Sequence, residues 1–251
     1  MIANNNPDSR LPTPDSPHPV PFRYLDIIAS FFVSILIISN IASSAKIVSF
    51  GFSVFSVPMA FDGGTLLFPL AYIIGDILTE VYGFKISRRI IWIGFGALAL
   101  AMLAFLLLKI LPPDALWEET AGNAAYNSIL GGMSSGGIVL ASLAAYLAGE
   151  FINAVMLSRG KVIMKGRHLW VRAIISSLAG ELIDTLIFVL IATITKVFPA
   201  ELFWSLVLTN YFIKIIIEIL VLPITYRLVR FLKHRENIDV YDTGIRYSIL
   251  P

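Results

Sequence analysis

The 251-residue chain contains no cysteine, which excludes disulfides, thiolate metal sites and cysteine nucleophiles. Charge is also scarce: Asp, Glu, Lys and Arg together make up 14% of the residues, against about 25% in ordinary soluble domains. Hydrophobic residues make up 57%, and the mean hydropathy is +0.81. A soluble globule cannot cover itself with so little charge, and a disordered chain is not so apolar, which leaves a polytopic membrane protein. The 19 basic and 17 acidic residues give a net charge of +2, too balanced for a nucleic-acid binder. Histidine is confined to His18, His168 and His234, all outside the apolar runs, so no imidazole reaches membrane depth as a metal ligand or general base. No Gly-rich phosphate loop of the Walker type is present, so the chain does not itself hydrolyse ATP. Gly75-Asp76 with Asp184 is too short a signal for an aspartyl protease, whose two carboxylates must share a proton at close range. The chain therefore reads as a non-enzyme, with no catalytic residue, metal or cofactor.

What is abundant is apolar sequence. Six runs are long enough to cross a hydrocarbon core of about 30 Å: about 24–46, 63–83, 89–111, 129–157, 169–195 and 202–230. The expected fold is an all-α integral membrane protein, a bundle of about six transmembrane helices. Gly63, Gly64, Pro69 and Gly75 interrupt the second run, and the preceding Ile47–Ala60 stretch is apolar yet holds Gly51 and Pro58, so the second span is expected to be broken or re-entrant. Residues 1–22 form a Pro-rich segment expected to be a disordered cytoplasmic tail, 23–232 the six-helix domain, and 233–251 a cytoplasmic C-terminal tail. Without the basic start and apolar centre of a signal peptide, the first run is expected to be a retained anchor.

About 15 of the 19 Lys and Arg residues fall on one side if both termini are cytoplasmic, among them Lys85, Arg88, Arg89, Lys161, Arg172 and Lys233. The long loop on the other side carries Asp114, Glu118 and Glu119. Trp92, Trp117, Trp170 and Trp204 lie near span ends, as interfacial anchors would.

Polar residues within the spans are the functional signal, since an ionisable group deep in a span costs at least about 2.5–3.5 kcal/mol. They are Asn40 and Lys46 in the first run, Asp76 and Glu80 in the second, Glu150 and Asn153 in the fourth, Glu181 and Asp184 in the fifth, and Asn210, Lys214 and Glu218 in the sixth. Spacings of three or four place the sets of the second, fourth, fifth and sixth runs each on one helix face. The plainer reading is glue between packed helices, worth about 0.6 kcal/mol per hydrogen bond. Against it stands the acidic excess, because only Lys214 is a clearly central base. Lys214 is expected to pair with Glu218 along its own helix, leaving carboxylates protonated, solvated or ready for a donor-rich or cationic ligand. Glu181 and Asp184 are the first choice for a site, then Asp76. LAGEFIN at Leu147–Asn153 is nearly repeated by LAGELID at Leu178–Asp184; inverted repeats meeting at the midplane build transport sites, although so short a match also arises by chance. Gly132, Gly136, Ala144 and Ala148 read as helix-packing contacts.

The stretch FPLAYIIGDILTEVYGFKISRR from Phe68 to Arg89, followed by IIWIGF, resembles the signature of the queuosine precursor transporter family, also grouped as vitamin-uptake transporters. Ser39–Lys46 and the run from Arg172 to Phe188 resemble further family segments, and the likeness covers about Ser30 to Leu232. The resemblance implies inner-membrane import of 7-cyano-7-deazaguanine and 7-aminomethyl-7-deazaguanine for tRNA queuosine salvage. A carboxylate can accept the paired N–H donors of a guanine-like edge, and an aminomethyl cation suits an acidic cavity. The candidate substrate-binding residues are Glu181, Asp184, Asp76, Glu80, Glu150, Asn153, Asn40, Tyr72, Asn210 and Lys214, with Phe68 or Tyr211 as further stacking candidates. Expected partners are the small-molecule substrate and membrane lipids, with a homo-oligomer left open. The alternative is a substrate-binding membrane subunit that depends on a separate ATP-driven energising module, with Ala29, Ala42 and Ala45 as a docking face.

Overall fold

The protein is described by a computed structural model over residues 22–54, 57–196 and 198–250. The expected N-terminal tail, apart from Phe22, lies outside these residues. Among the described residues, five helices are long and apolar enough to cross a membrane: α1 (Leu25–Ala45), α3 (Phe84–Ile110), α6 (Gly136–Ile163), α7 (Leu169–Ile194) and α8 (Phe203–Glu236). A shorter helix, α2 (Phe68–Tyr82), has 15 residues, about 22 Å. Two small helices, α4 (Ala115–Thr120) and α5 (Gly122–Leu130), follow α3. The chain is an all-α multi-pass membrane bundle. Long rows of exposed apolar side chains, such as Leu100, Leu103 and Leu107 on α3 and Phe212, Ile216 and Leu220 on α8, form its lipid-facing surface.

The region of the second expected span departs from a simple helix. Ile47–Ala60 does not enter a helix; it belongs to an antiparallel hairpin, β1 (Ile47–Val54) and β2 (Val57–Asp62), with Ile47 opposite Asp62 and Val48 opposite Phe61. Its signal was present in Ser49-Phe50-Gly51-Phe52-Ser53-Val54, which alternates with the period of a strand. A 3-10 turn over Gly63–Leu66 then leads into α2. The glycines serve close approach: a β-carbon at Gly63 would stand 2.7 Å from the Ala42 carbonyl oxygen, and one at Gly64 would overlap that of Ser39. The turn can therefore lie directly on the α1 backbone. Pro69 sits in the first turn of α2, where its missing N–H costs nothing.

The ends of the described chain meet. The backbone N–H groups of Arg23 and Tyr24 donate to the Glu236 carboxylate at 3.0 and 2.7 Å, so the start of α1 and the end of α8 share one end of the bundle, the terminal end. The hairpin lies at the other. Residues after α8 pack against the terminal ends of α3 and α6 rather than trailing away. Asp242 accepts from the Phe84 N–H at 2.8 Å and the Ser158 hydroxyl at 2.6 Å, and Arg88 donates to the carbonyls of Ser248 and Leu250. Trp92, expected as an interfacial anchor, donates its indole N–H to the Ile249 carbonyl at 2.8 Å.

α2 runs through the centre, buried on nearly every side, and packs against α1, α3, α6 and α8. The face of each surrounding helix that carries polar residues therefore turns towards α2.

Candidate functional site

A cavity opens between α1, α2, α6, α7 and α8, with an empty volume of about 560 Å³ counted to the atomic surfaces and including its mouth. Its polar wall comprises Asn40, Asp62, Ser142, Glu150, Asp184, Thr185, Asn210 and Lys214. Its aromatic wall comprises Phe68, Tyr72, Tyr146 and Phe188. Six of the ten residues expected from sequence thus line one space: Asn40, Tyr72, Glu150, Asp184, Asn210 and Lys214. An adjoining cavity shares Asn40, Asp62, Ser142, Phe188 and Asn210 and continues along Ser43, Ser44 and Ile47 towards the hairpin end.

The central feature is an ion pair between helices. Lys214 Nζ lies 2.5 Å from Asp184 Oδ2 and 3.4 Å from the Thr185 hydroxyl, with its charge 5.3 Å from the centre of the Phe68 ring. The expected Lys214–Glu218 pairing along α8 is therefore corrected: α7 offers a carboxylate directly across the cavity, and Lys214 takes it. Glu150 faces the same space from α6. Its carboxylate rests on Gly75, where a β-carbon would stand 2.9 Å from Oε2, so a side chain on α2 would push Glu150 away.

At the mouth, Asp62 caps the 3-10 turn, accepting from the Gly64 N–H at 3.0 Å and the Thr65 hydroxyl at 2.8 Å. Thr65 also reaches the Asn210 side-chain oxygen at 3.2 Å, tying the turn to α8. Asn40 donates back to the Leu36 carbonyl at 2.9 Å.

The other four expected residues do not line the cavity. Asp76 accepts from the Asn153 amide at 2.8 Å, and Glu181 is wholly buried, so these three stand behind the wall on its terminal side. Glu80 lies further on, in an ion network of its own. Arg172 holds it with Nη1 at 2.6 Å and Nη2 at 3.3 Å, Lys233 approaches at 2.6 Å, and Lys161 at 3.7 Å. Lys161 also donates to the Glu80 and Val240 carbonyls, both at 2.7 Å, and to Asp239 at 2.5 Å. Lys161, Arg172 and Lys233, counted from sequence as markers of the inner side, thus neutralise a buried acid. Burial alone would push Asp239 up, but hydrogen bonds from Lys161 and Lys233 outweigh it and hold the carboxyl below the usual range.

Several cavity residues were passed over. Phe68 had been named only as a stacking candidate, and Tyr211 is not in the wall; its hydroxyl donates to the Leu178 carbonyl. Ser142 and Tyr146 lie eight and four residues before Glu150, and Phe188 four after Asp184. The same helical spacing, carried one turn further, would have found them. Asp62, at the end of a strand, had no such signal. Lys46 is exposed at the end of α1 and is not part of the cavity wall.

A polar, aromatic-walled cavity enclosed in a lipid-facing helical bundle defines a membrane carrier of small molecules. Residues 62–228 match the family described as "Putative vitamin uptake transporter", and the chain belongs to that family. It is 25% identical over 178 residues to the "Probable queuosine precursor transporter" of Bacillus subtilis (strain 168), covering 69% of this chain and 74% of that protein. It is 26% identical over 193 residues to the "Queuosine precursor transporter" of Escherichia coli (strain K12), covering 76% of this chain and 81% of that protein. No solved structure matches it significantly.

Proposed function

We propose that this protein imports queuosine precursors, 7-cyano-7-deazaguanine and 7-aminomethyl-7-deazaguanine, across the inner membrane, with both termini cytoplasmic. The observation that carries this reading is the Lys214–Asp184 pair in a cavity walled by Phe68 and Tyr72, with Lys214 over the Phe68 ring. It sets a donor beside an acceptor. That is the complement of a deazaguanine edge, whose carbonyl oxygen accepts next to an N–H that donates. Asp184 takes the N–H groups, Lys214 turns to the carbonyl, and an aromatic ring stacks on the bicycle. Glu150 faces the 7-substituent, where it meets the aminomethyl cation. Asn40 and Asn210 guide entry from the hairpin end.

Binding of both deazaguanines and guanine to the purified protein, read by calorimetry, tests the assignment. Tight binding of the deazaguanines, weakened in Asp184→Asn, supports it. Equal affinity for guanine would move the function to general purine uptake. Uptake by the purified chain alone in liposomes separates a self-sufficient importer from a capture subunit that needs an ATP-driven module.

A further inference from the structure

Glu181 has no exposed surface, and neither of its carboxylate oxygens has a hydrogen-bond partner. In the cavity wall, the Tyr72 hydroxyl is likewise buried and unpartnered. The groups facing Glu181 come from every helix around it: Tyr72 on α2, Glu150 on α6, Asp184 on its own helix, and Tyr211, Lys214 and Glu218 on α8. The one cation among them, Lys214, is committed to Asp184. Glu150, Asp76 and Glu80 each have an outlet that Glu181 lacks. Glu150 opens on the cavity, Asp76 accepts from Asn153, and Glu80 is held by Arg172 and Lys233. An anion left in this position would have no hydrogen-bond donor and only a cation already held by Asp184, a cost of several kcal/mol. A proton removes that cost with the smallest possible ligand.

We propose that Glu181 is a proton-binding site, loaded from the cavity and emptied towards the terminal end, through which substrate import is coupled to proton entry. A metal cation fits less well, because among the described residues no three acidic or histidine side chains converge to hold one. The direction follows from the column. On the cavity side Glu181 adjoins groups that open towards the hairpin end, and on the other side Glu218 and Asp76 lead towards Glu80. When a ligand takes Asp184, the ammonium of Lys214 donates to the ligand carbonyl and can turn a further N–H towards Glu181, whose carboxyl then passes its proton to Glu218 and remains as an anion beside that cation. One proton leaves for each substrate seated, and no redox partner is required.

The coupling step rests on the import reading above; the proton site itself does not, so the test has two arms. Infrared difference spectra of the purified protein at neutral pH are expected to show a protonated-carboxyl C=O band that vanishes in Glu181→Gln and returns in Glu181→Asp. Absence of the band in the unaltered protein, or its persistence in Glu181→Gln, overturns the proposal whatever the substrate. In liposomes, an inward proton gradient is expected to accelerate deazaguanine uptake severalfold. Glu181→Gln should keep substrate exchange but lose that response. A Glu181→Gln protein that still follows the proton gradient, or uptake driven by sodium instead, overturns the coupling. Should the band behave as expected while no deazaguanine is carried, the substrate reading fails and the proton site stands.

Discussion

Gly149 of α6 and Gly180 of α7 meet backbone to backbone. A β-carbon at Gly180 would stand 2.8 Å from the Gly149 carbonyl oxygen, and one at Gly149 would stand 3.0 Å from that of Gly180. These are the equivalent glycines of the LAGEFIN and LAGELID segments, and the glutamates that follow them are Glu150 of the cavity and the buried Glu181. The Tyr72 side chain lies against both glycines. The short internal echo therefore marks the point where two oppositely directed helices touch and set their acids around α2.

Alanine at Gly180 is expected to cost about 1–3 kcal/mol by overpacking, because backbone atoms cannot give way as a flexible side chain would. Gly96→Ala on α3 is the control. Nothing lies within 4 Å of its β-carbon position, and replacing a helical glycine there should leave stability equal or raise it by up to about 1 kcal/mol. Thermal unfolding of the purified variants in detergent checks both. Equal melting temperatures for Gly180→Ala and Gly96→Ala would contradict the close crossing.

Glu80 joins α2 to α7 and α8 through Arg172 and Lys233. Removing one partner of a buried pair costs about 3–5 kcal/mol, because the remaining charge is left uncompensated. Glu80→Gln is expected to lower stability by that order, leaving three cations facing a neutral amide. Arg172→Ala should do the same from the other side, and the double variant should cost less than the sum of the two. Strict additivity in unfolding measurements would show that the two residues do not act as a pair.

The fold was legible wherever membrane physics writes itself into composition. The long runs of α1, α3, α6, α7 and α8 had to be apolar to face lipid, and their polar stripes had to face inward. The hairpin was hidden because Ile47–Asp62 is as apolar as a span, and only the alternation around Phe50 and Phe52 marks it. The cavity was legible in part, since a four-residue step identifies a shared face without giving depth along it. Asp184 and Glu181 sit on that face three residues apart, yet one lines the cavity and the other is sealed behind Tyr72. Pairing across helices was not legible at all. Lys161, Arg172 and Lys233 look like loop charges until folding brings them onto Glu80.

Asp184→Asn keeps the shape of the cavity while removing the charge that receives the ligand. Hydrogen bonds to a charged group contribute about 1.5–3 kcal/mol, so affinity for the deazaguanines is expected to fall by about 10- to 150-fold. Asp62→Ala acts at the mouth instead. It removes the cap from the turn at Gly64, costing about 1 kcal/mol of stability, and should slow entry more than it weakens equilibrium binding. Calorimetry with stopped-flow binding separates the two. Equal losses of affinity in both variants would place Asp62 in direct contact with the ligand.

Asp239 links the C-terminal segment to the bundle through Lys161 and Lys233, at 2.5 and 2.8 Å. Its carboxyl is held below its ordinary value of 3.8, burial being outweighed by these two donors. A depressed folded value means that the folded state favours the ionised form. The stabilisation is fully present above 3.8 and is lost as the pH falls through the lower folded value. The segment from Asn237 to Leu250 should therefore remain seated at neutral pH and loosen only in acid. Because the Trp92 indole donates to the Ile249 carbonyl, release should change the fluorescence of that ring. Asp239→Asn removes the charge at every pH, so its Trp92 signal is expected to be shifted already at neutral pH and to respond less to acid. An unaltered acid transition in Asp239→Asn would show that Asp239 does not hold the latch.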